Sequence, residues 1–171
     1  TPYEELLEAY REQILVQTRE GIDLLVAETM LGVTECMAAL DAAASVCSLP
    51  VMCTLTVESD GSLFFGGNIY EAVETLEEMG ADAVGINCST GPDQLLSVVE
   101  NMRKRVNIPL IVKPNAGIPV INAQGQPVYS MEAREFAACM KHLVDAGADI
   151  IGGCCGTTPE YIQKLHDTFT L

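Results

Sequence analysis

Gly152-Gly153-Cys154-Cys155-Gly156 sets two adjacent thiols between glycines, and Gly85-Ile86-Asn87-Cys88-Ser89 carries a third thiol after a short apolar run. Neighbouring residues on a regular strand point to opposite faces, so two adjacent thiols meet one target only where a strand ends or distorts. The flanking glycines allow that. Three thiolates converging at strand ends form a donor set suited to zinc, which takes four tetrahedral ligands and keeps one position open when the protein supplies three. An open three-sulfur site favours a soft fourth ligand, and a substrate thiol fits that preference. Coordination deprotonates such a thiol outright, giving a nucleophile at neutral pH that a free thiol, with a pKa of about 8.5, largely is not. A redox-active vicinal pair, a purely structural zinc, and simple packing of Cys88 are the alternatives. Cys36, Cys47, Cys53 and Cys139 read as packing residues, and His142 and His166 lie in helical patterns that suit packing or surface.

Two further strand ends carry polar groups. Glu28-Thr29 closes the run from Leu24, and a carboxylate at that level can take a substrate ammonium group; a capping or solvated acid is the alternative. Lys113-Pro114-Asn115-Ala116-Gly117 ends another run. Burial would make that lysine a Schiff-base candidate, but nothing nearby in sequence supports the role. Asn115 and Gly117 suit a loop over the site.

The elements that must position these groups alternate along the chain. Strand candidates are Leu24–Thr29, Val51–Val57, Ala83–Cys88, Leu110–Lys113 and Ile150–Cys154, each brief and apolar on both faces, as in parallel strands buried beneath helices. Helical patterns cover Pro2–Glu20, Val33–Cys47, Tyr70–Met79, Pro92–Arg105, Met131–Asp145 and Pro159–Phe169. The expected class is therefore α/β with a parallel sheet. Gly21-Ile22-Asp23, Gly80-Ala81-Asp82 and Gly147-Ala148-Asp149 each close a helix with glycine and open a strand, a spacing expected of repeated βα units. Thr1-Pro2-Tyr3-Glu4 and Thr158-Pro159-Glu160 read as helix starts, the first of capping-box type. An open doubly wound sheet accommodates this pattern, and so does part of a (β/α)8 barrel, which needs eight strands and about 250 residues. On the barrel reading three strands are missing, all from the N-terminal side.

With 171 residues, 49% of them hydrophobic, the chain has enough apolar side chains to bury the core of one domain. Its 24 acidic against 9 basic residues give a net charge of −15, which argues against a nucleic-acid or anionic-membrane partner, since both demand a positive face. No apolar run approaches the roughly 18–20 residues of a membrane span. Thr1 to Glu5 is neither basic nor apolar, so a cytoplasmic location is expected. Seven cysteines, an odd number, suit reduced thiols better than a disulfide framework.

Gly85-Ile86-Asn87-Cys88, Lys113-Pro114-Asn115-Ala116-Gly117 and Gly152 to Glu160 together resemble the zinc-dependent homocysteine S-methyltransferase family, most of all the homocysteine-binding module of its cobalamin-dependent methionine synthase branch. The likeness runs through the whole chain, so residues 1–171 are expected to form part of one such domain: the last five strands of a (β/α)8 TIM-type barrel, with the N-terminal strands absent. The family's N-terminal aspartate-glycine motif has no counterpart here. The resemblance implies Zn2+ on Cys88, Cys154 and Cys155, and homocysteine as substrate. It implies that Glu28, in a Glu-Thr motif with Thr29, contacts the homocysteine amino group, and that Asn87 lies with them at the site and orders the zinc loop. The implied reaction is attack of the zinc-bound thiolate on a methyl group to give methionine, with methylcobalamin on another domain or protein as donor, betaine and S-methylmethionine being the alternatives. Implied partners are folate and cobalamin domains, or a separate chain supplying the N-terminal strands. A non-catalytic fragment that associates through open sheet edges is the competing expectation.

Overall fold

The structure, a computed structural model, describes residues 1–170. The chain runs α1 (Tyr3–Arg19), β1 (Leu25–Met30), α2 (Val33–Val46), β2 (Val51–Leu55), α3 (Ile69–Glu78) and β3 (Ala83–Cys88). It continues through α4 (Leu96–Arg103), β4 (Leu110–Pro114), a hairpin of β5 (Pro119–Ile121) and β6 (Pro127–Tyr129), α5 (Ala133–Asp145), β7 (Ile150–Ile151) and α6 (Pro159–Phe169). Five strands form one parallel sheet in the order β1-β2-β3-β4-β7.

That order decides between the two architectures open to the sequence. A doubly wound sheet reverses direction at a switch point and places helices on both faces. Here every strand adds on the same side of its predecessor, and each helix packs on the next, α1 on α2 through to α5 on α6, in one outer layer. Right-handed crossovers that never reverse give the wall of a barrel. The sheet is thus a five-strand arc, as expected.

Alternation along each strand divides the side chains between two faces. Leu25, Cys53, Leu55, Val84, Ile86, Leu110 and Val112 fall on the outer face and are buried against helical residues such as Leu76, Met102, Met140 and Leu143. The inner face takes the other set, in which register aligns Val26 with Met52, Asn87 with Lys113, and Ile111 with Ile150. Val26, on the inner face of the edge strand, is 43% exposed, whereas Leu25 and Ala27 on its outer face are buried. A cleft of about 400 Å³ runs along this edge between β1 and α1, past Tyr10, Ile14, Leu24 and Glu28.

The recurring Gly-x-Asp entry has a physical basis. Gly21, Gly80 and Gly147 have φ of 77°, 91° and 113°, the left-handed region in which glycine ends a helix without strain. The aspartates then clasp the preceding strand. Asp82 donates its N–H to the Val51 carbonyl (2.9 Å) and accepts the Val51 N–H on Oδ2 (2.8 Å). Asp149 does the same to Leu110, at 2.9 Å for both bonds.

Local departures from the sequence expectation have local causes. The helix expected over Pro92–Arg105 is a 3-10 turn, Pro92–Gln94, followed by α4 after Leu95. Strand β2 stops at Leu55, and Val57 instead bridges Leu63 in the following loop. β7 is two residues long, Ile150–Ile151, but the backbone keeps bonding to β4 beyond it, Gly152 N–H to the Val112 carbonyl (3.3 Å) and Cys154 N–H to the Pro114 carbonyl (2.8 Å), which carries the chain to the thiols. Neither Thr-Pro start forms a side-chain cap: Pro2 is itself the N-cap of α1, and the Thr158 hydroxyl makes no capping bond to α6. No helix among the described residues is long and apolar enough to cross a membrane.

Candidate metal centre

Cys88, Cys154 and Cys155 meet at the carboxyl end of the sheet, all three Sγ atoms within 4.8 Å of one another. Cys88 and Cys155 are 3.5 Å apart, Cys154 and Cys155 3.9 Å. Three sulfurs bound at about 2.3 Å to one tetrahedral ion lie about 3.8 Å apart, close to two of these separations, so the three thiols could hold a metal ion. Among the described residues the cluster consists of these three cysteines, and His142 and His166 remain in α5 and α6.

Backbone distortion brings the thiols together. At the end of β3, Cys88 and Ser89 both adopt left-handed φ, 61° and 65°, which breaks the strict in-out alternation. The Cys154-Cys155 segment is pinned to the loop after β4. Cys154 N–H donates to the Pro114 carbonyl (2.8 Å), Cys155 N–H to Asn115 Oδ1 (3.1 Å), and Ala116 N–H to the Cys155 carbonyl (2.9 Å). Asn115 Nδ2 also donates to the Ser89 carbonyl (3.2 Å), so one side chain ties both cysteine segments to β4. This gives Asn115 a more specific place than the general loop role expected of it.

Asn87 is 1% exposed and forms the hub beneath the thiols. Its Oδ1 accepts the Thr29 N–H (2.9 Å) and the Thr54 hydroxyl (2.7 Å), and its Nδ2 donates to Thr29 Oγ1 (2.6 Å) and points at Cys154 Sγ (3.8 Å). Thr29 needs that hold. A β-branched residue at φ 62° is strained by about 1–3 kcal/mol, and Asn87 engages both its amide and its hydroxyl. Asn87 and Thr29 are therefore occupied with each other, while Glu28 reaches across the inner face to Lys113, Oε1 to Nζ 2.9 Å. That ion pair engages the lysine that sequence reasoning weighed for a Schiff base.

Electrostatics separates these cysteines from the packing ones. Burial, then hydrogen bonding to Cys154 and Cys155, pushes the Cys88 thiol from 9.0 up to about 12. In the core, hydrogen bonding to Cys53 and burial hold the Cys36 thiol protonated; both residues are fully buried between α2 and β2, as packing residues should be. The site also includes groups that sequence reasoning missed, Thr54, Ser89 and Tyr129. Ser89 Oγ accepts the Val57 N–H at 2.9 Å. Burial and then the charge of Cys155 raise the Tyr129 phenol above its ordinary range. Two apolar pairs, Val120-Ile121 and Val128-Tyr129, flanking the turn residues Asn122 to Gln126 are the one sequence signal that could have found this hairpin.

Known proteins are similar to this chain to measurable degrees. Methionine synthases of Mycobacterium leprae and Mycobacterium tuberculosis are each 32% identical to 96% of the chain, which spans only 14% of their length. The apo crystal structure of the homocysteine methyltransferase MmuM from Escherichia coli superposes with a TM-score of 0.79 at 24% identity, over 98% of this chain and 57% of that one. Its metallated form gives 0.75 over 94% and 51%. These superpositions establish the barrel-wall fold. The model of the homocysteine S-methyltransferase family matches residues 1–169, and the chain belongs to that family.

Proposed function

We infer that this chain is the thiol-activating part of a homocysteine S-methyltransferase of the methionine synthase kind, with Cys88, Cys154 and Cys155 as zinc ligands. The observation that carries the reading is the spacing of three sulfurs at 3.5–3.9 Å in two contacts and within 4.8 Å overall, at the carboxyl end of a barrel wall. Held by these three cysteines, zinc would supply thiolate at neutral pH from a substrate thiol.

The chain's own residues do the rest. Asn87 holds Thr29 and approaches Cys154, so the β1 end and the thiol loop keep one relative position. Glu28, with 47% of its side chain exposed, presents a carboxylate to the substrate ammonium group, and Lys113 holds it in place until then. Cys154 and Cys155 are fixed through backbone bonds to Pro114, Asn115 and Ala116, which keeps the sulfurs from drifting apart when the cation leaves. In this reading homocysteine is the substrate and methionine the product. The methyl donor is methylcobalamin carried by a domain or protein outside these residues, and the protein works in the cytoplasm, where thiols stay reduced. Further βα units, from the same polypeptide or another, complete the barrel along β1 and β7; folate and cobalamin domains are the accompanying modules.

Metal analysis of protein purified under reducing conditions tests the reading. One zinc per chain is expected, lost in Cys154→Ala and in Cys155→Ala; a metal-free wild type, or variants that retain the metal, would falsify it. Solution mass and homocysteine turnover then separate an active part from an inert, self-associating one.

A further inference from the structure

The β5–β6 hairpin contributes a group to the thiol cluster that neither the metal ligands nor the Glu28 contact uses. Tyr129, the last residue of β6, pairs with Pro119 and lays its ring on Gly156. A methyl group on Gly156 would fall 2.3 Å from Tyr129 Cγ and 2.6 and 2.8 Å from the two Cδ atoms. Gly156 also has φ 81°, so backbone conformation and ring contact both require glycine. The base of the hairpin is tied to the thiol loop and to α6. Ala116 N–H donates to the Cys155 carbonyl (2.9 Å), Met131 N–H to the Ala116 carbonyl (3.3 Å), and the Tyr161 hydroxyl to the Met131 carbonyl (2.6 Å). The ring thereby lies against the residue that follows Cys155, on the exposed side of the triad.

We propose that Tyr129 is a positioning residue of the metal centre, its hydroxyl donating a hydrogen bond to the Cys155 sulfur when that sulfur is a metal-bound thiolate. Cys155 is the exposed member of the triad, whereas Cys88 and Cys154 are partly buried. Cys154 has the Asn87 amide within reach. Cys155 has only its backbone anchored, and a donor from the hairpin gives its thiolate a fixed partner in place of water. A hydrogen bond to a thiolate withdraws electron density from sulfur, which tempers its donation to the metal and fixes its rotamer. The inference rests on the zinc reading and adds to it a residue outside the ligand set.

Cobalt(II) in place of zinc provides the test, because its sulfur-to-metal charge-transfer band reports the electron density on the ligands. Tyr129→Phe keeps the ring on Gly156 and removes only the hydroxyl. The expected result is a loss of cobalt affinity on the order of 10-fold in chelator competition, together with a charge-transfer band moved to lower energy. The thermal midpoint of the metal-free protein should stay where it was. Tyr129→Leu removes ring and hydroxyl together. A weakened Leu variant beside an unchanged Phe variant assigns Tyr129 to packing alone and overturns the proposal, as does wild-type affinity and band position in both. A wild type that takes up no cobalt overturns the zinc reading instead.

Discussion

The two faces of the sheet are built from alternate residues of the same strands, yet they obey different rules. The outer face is dry and apolar, with Leu55, Val84, Leu110 and Val112 fully buried beneath the helices. Inner-face positions instead hold Glu28, Thr54, Asn87, Lys113 and the approach to Cys154, and their side chains bond to one another. Packing density stabilises the first face, where losing a few methylenes costs more than any single polar contact gains. Geometry governs the second, where a buried amide and three thiols must hold fixed positions. Stability and chemistry are thus separable by strand parity, and substitutions on each side should show it.

The largest effect belongs to the helical layer. Phe136 is fully buried in α5, with its ring edge-on to Tyr161 at 5.6 Å between centroids. Phe136→Ala should lower stability by about 3–5 kcal/mol in urea unfolding, while molecules that remain folded keep their metal stoichiometry. Loss of metal without loss of stability would break the division. Asn87→Ala comes next, since it strands the Thr29 amide and the Thr54 hydroxyl. A cost of about 1–3 kcal/mol is expected, and unlike Phe136→Ala it should also weaken metal binding.

Protons give a graded effect. The Cys88 thiol is held at about 12, above its usual 9.0, so the native state without metal binds a proton that the unfolded chain releases earlier. Its contribution to stability is complete below 9.0 and is lost as pH rises through about 12, a decline that urea midpoints measured on metal-free protein should follow. Metal affinity runs the other way. Binding expels thiol protons, so affinity measured by chelator competition should rise steadily with pH through the neutral range. The smallest effect is expected at Glu28 and Lys113. A double-mutant cycle with Glu28→Gln and Lys113→Met should give a coupling of about 0–1 kcal/mol, because both side chains are partly solvated.

Strand parity also explains what could be read in advance. Outer-face runs such as Ala83–Cys88 and Leu110–Lys113 declare themselves through continuous apolar sequence, and their observed bounds differ from expectation by at most a residue. The thiols were legible because adjacent cysteines between glycines have few structural uses. Asn87 stands in the motif that carries Cys88, but its place as hydrogen-bond hub depends on Thr29 and Thr54, which arrive from strands 58 and 33 positions away in sequence. Tyr129 was hidden for a related reason. Its hairpin is only three residues a side and outwardly apolar, with Val120 62% and Ile121 65% exposed, so it lacks the burial pattern that marks a core strand.

The aspartate clasp carries an instruction for assembly. Asp82 and Asp149 each grip both backbone groups of one residue, the first of the neighbouring strand, and so measure off where that strand begins. Asp23 occupies the same place in the first Gly-x-Asp unit and is exposed at the β1 edge, with no such clasp among the described residues. A strand added beside β1 would meet a preset starting mark, since by analogy with Asp82 and Asp149 its first amide and carbonyl would bond to Asp23. A one-residue slip would leave that carboxylate unmatched and turn every side chain of the incoming strand to the wrong face, so the edge carries its own check on correct closure.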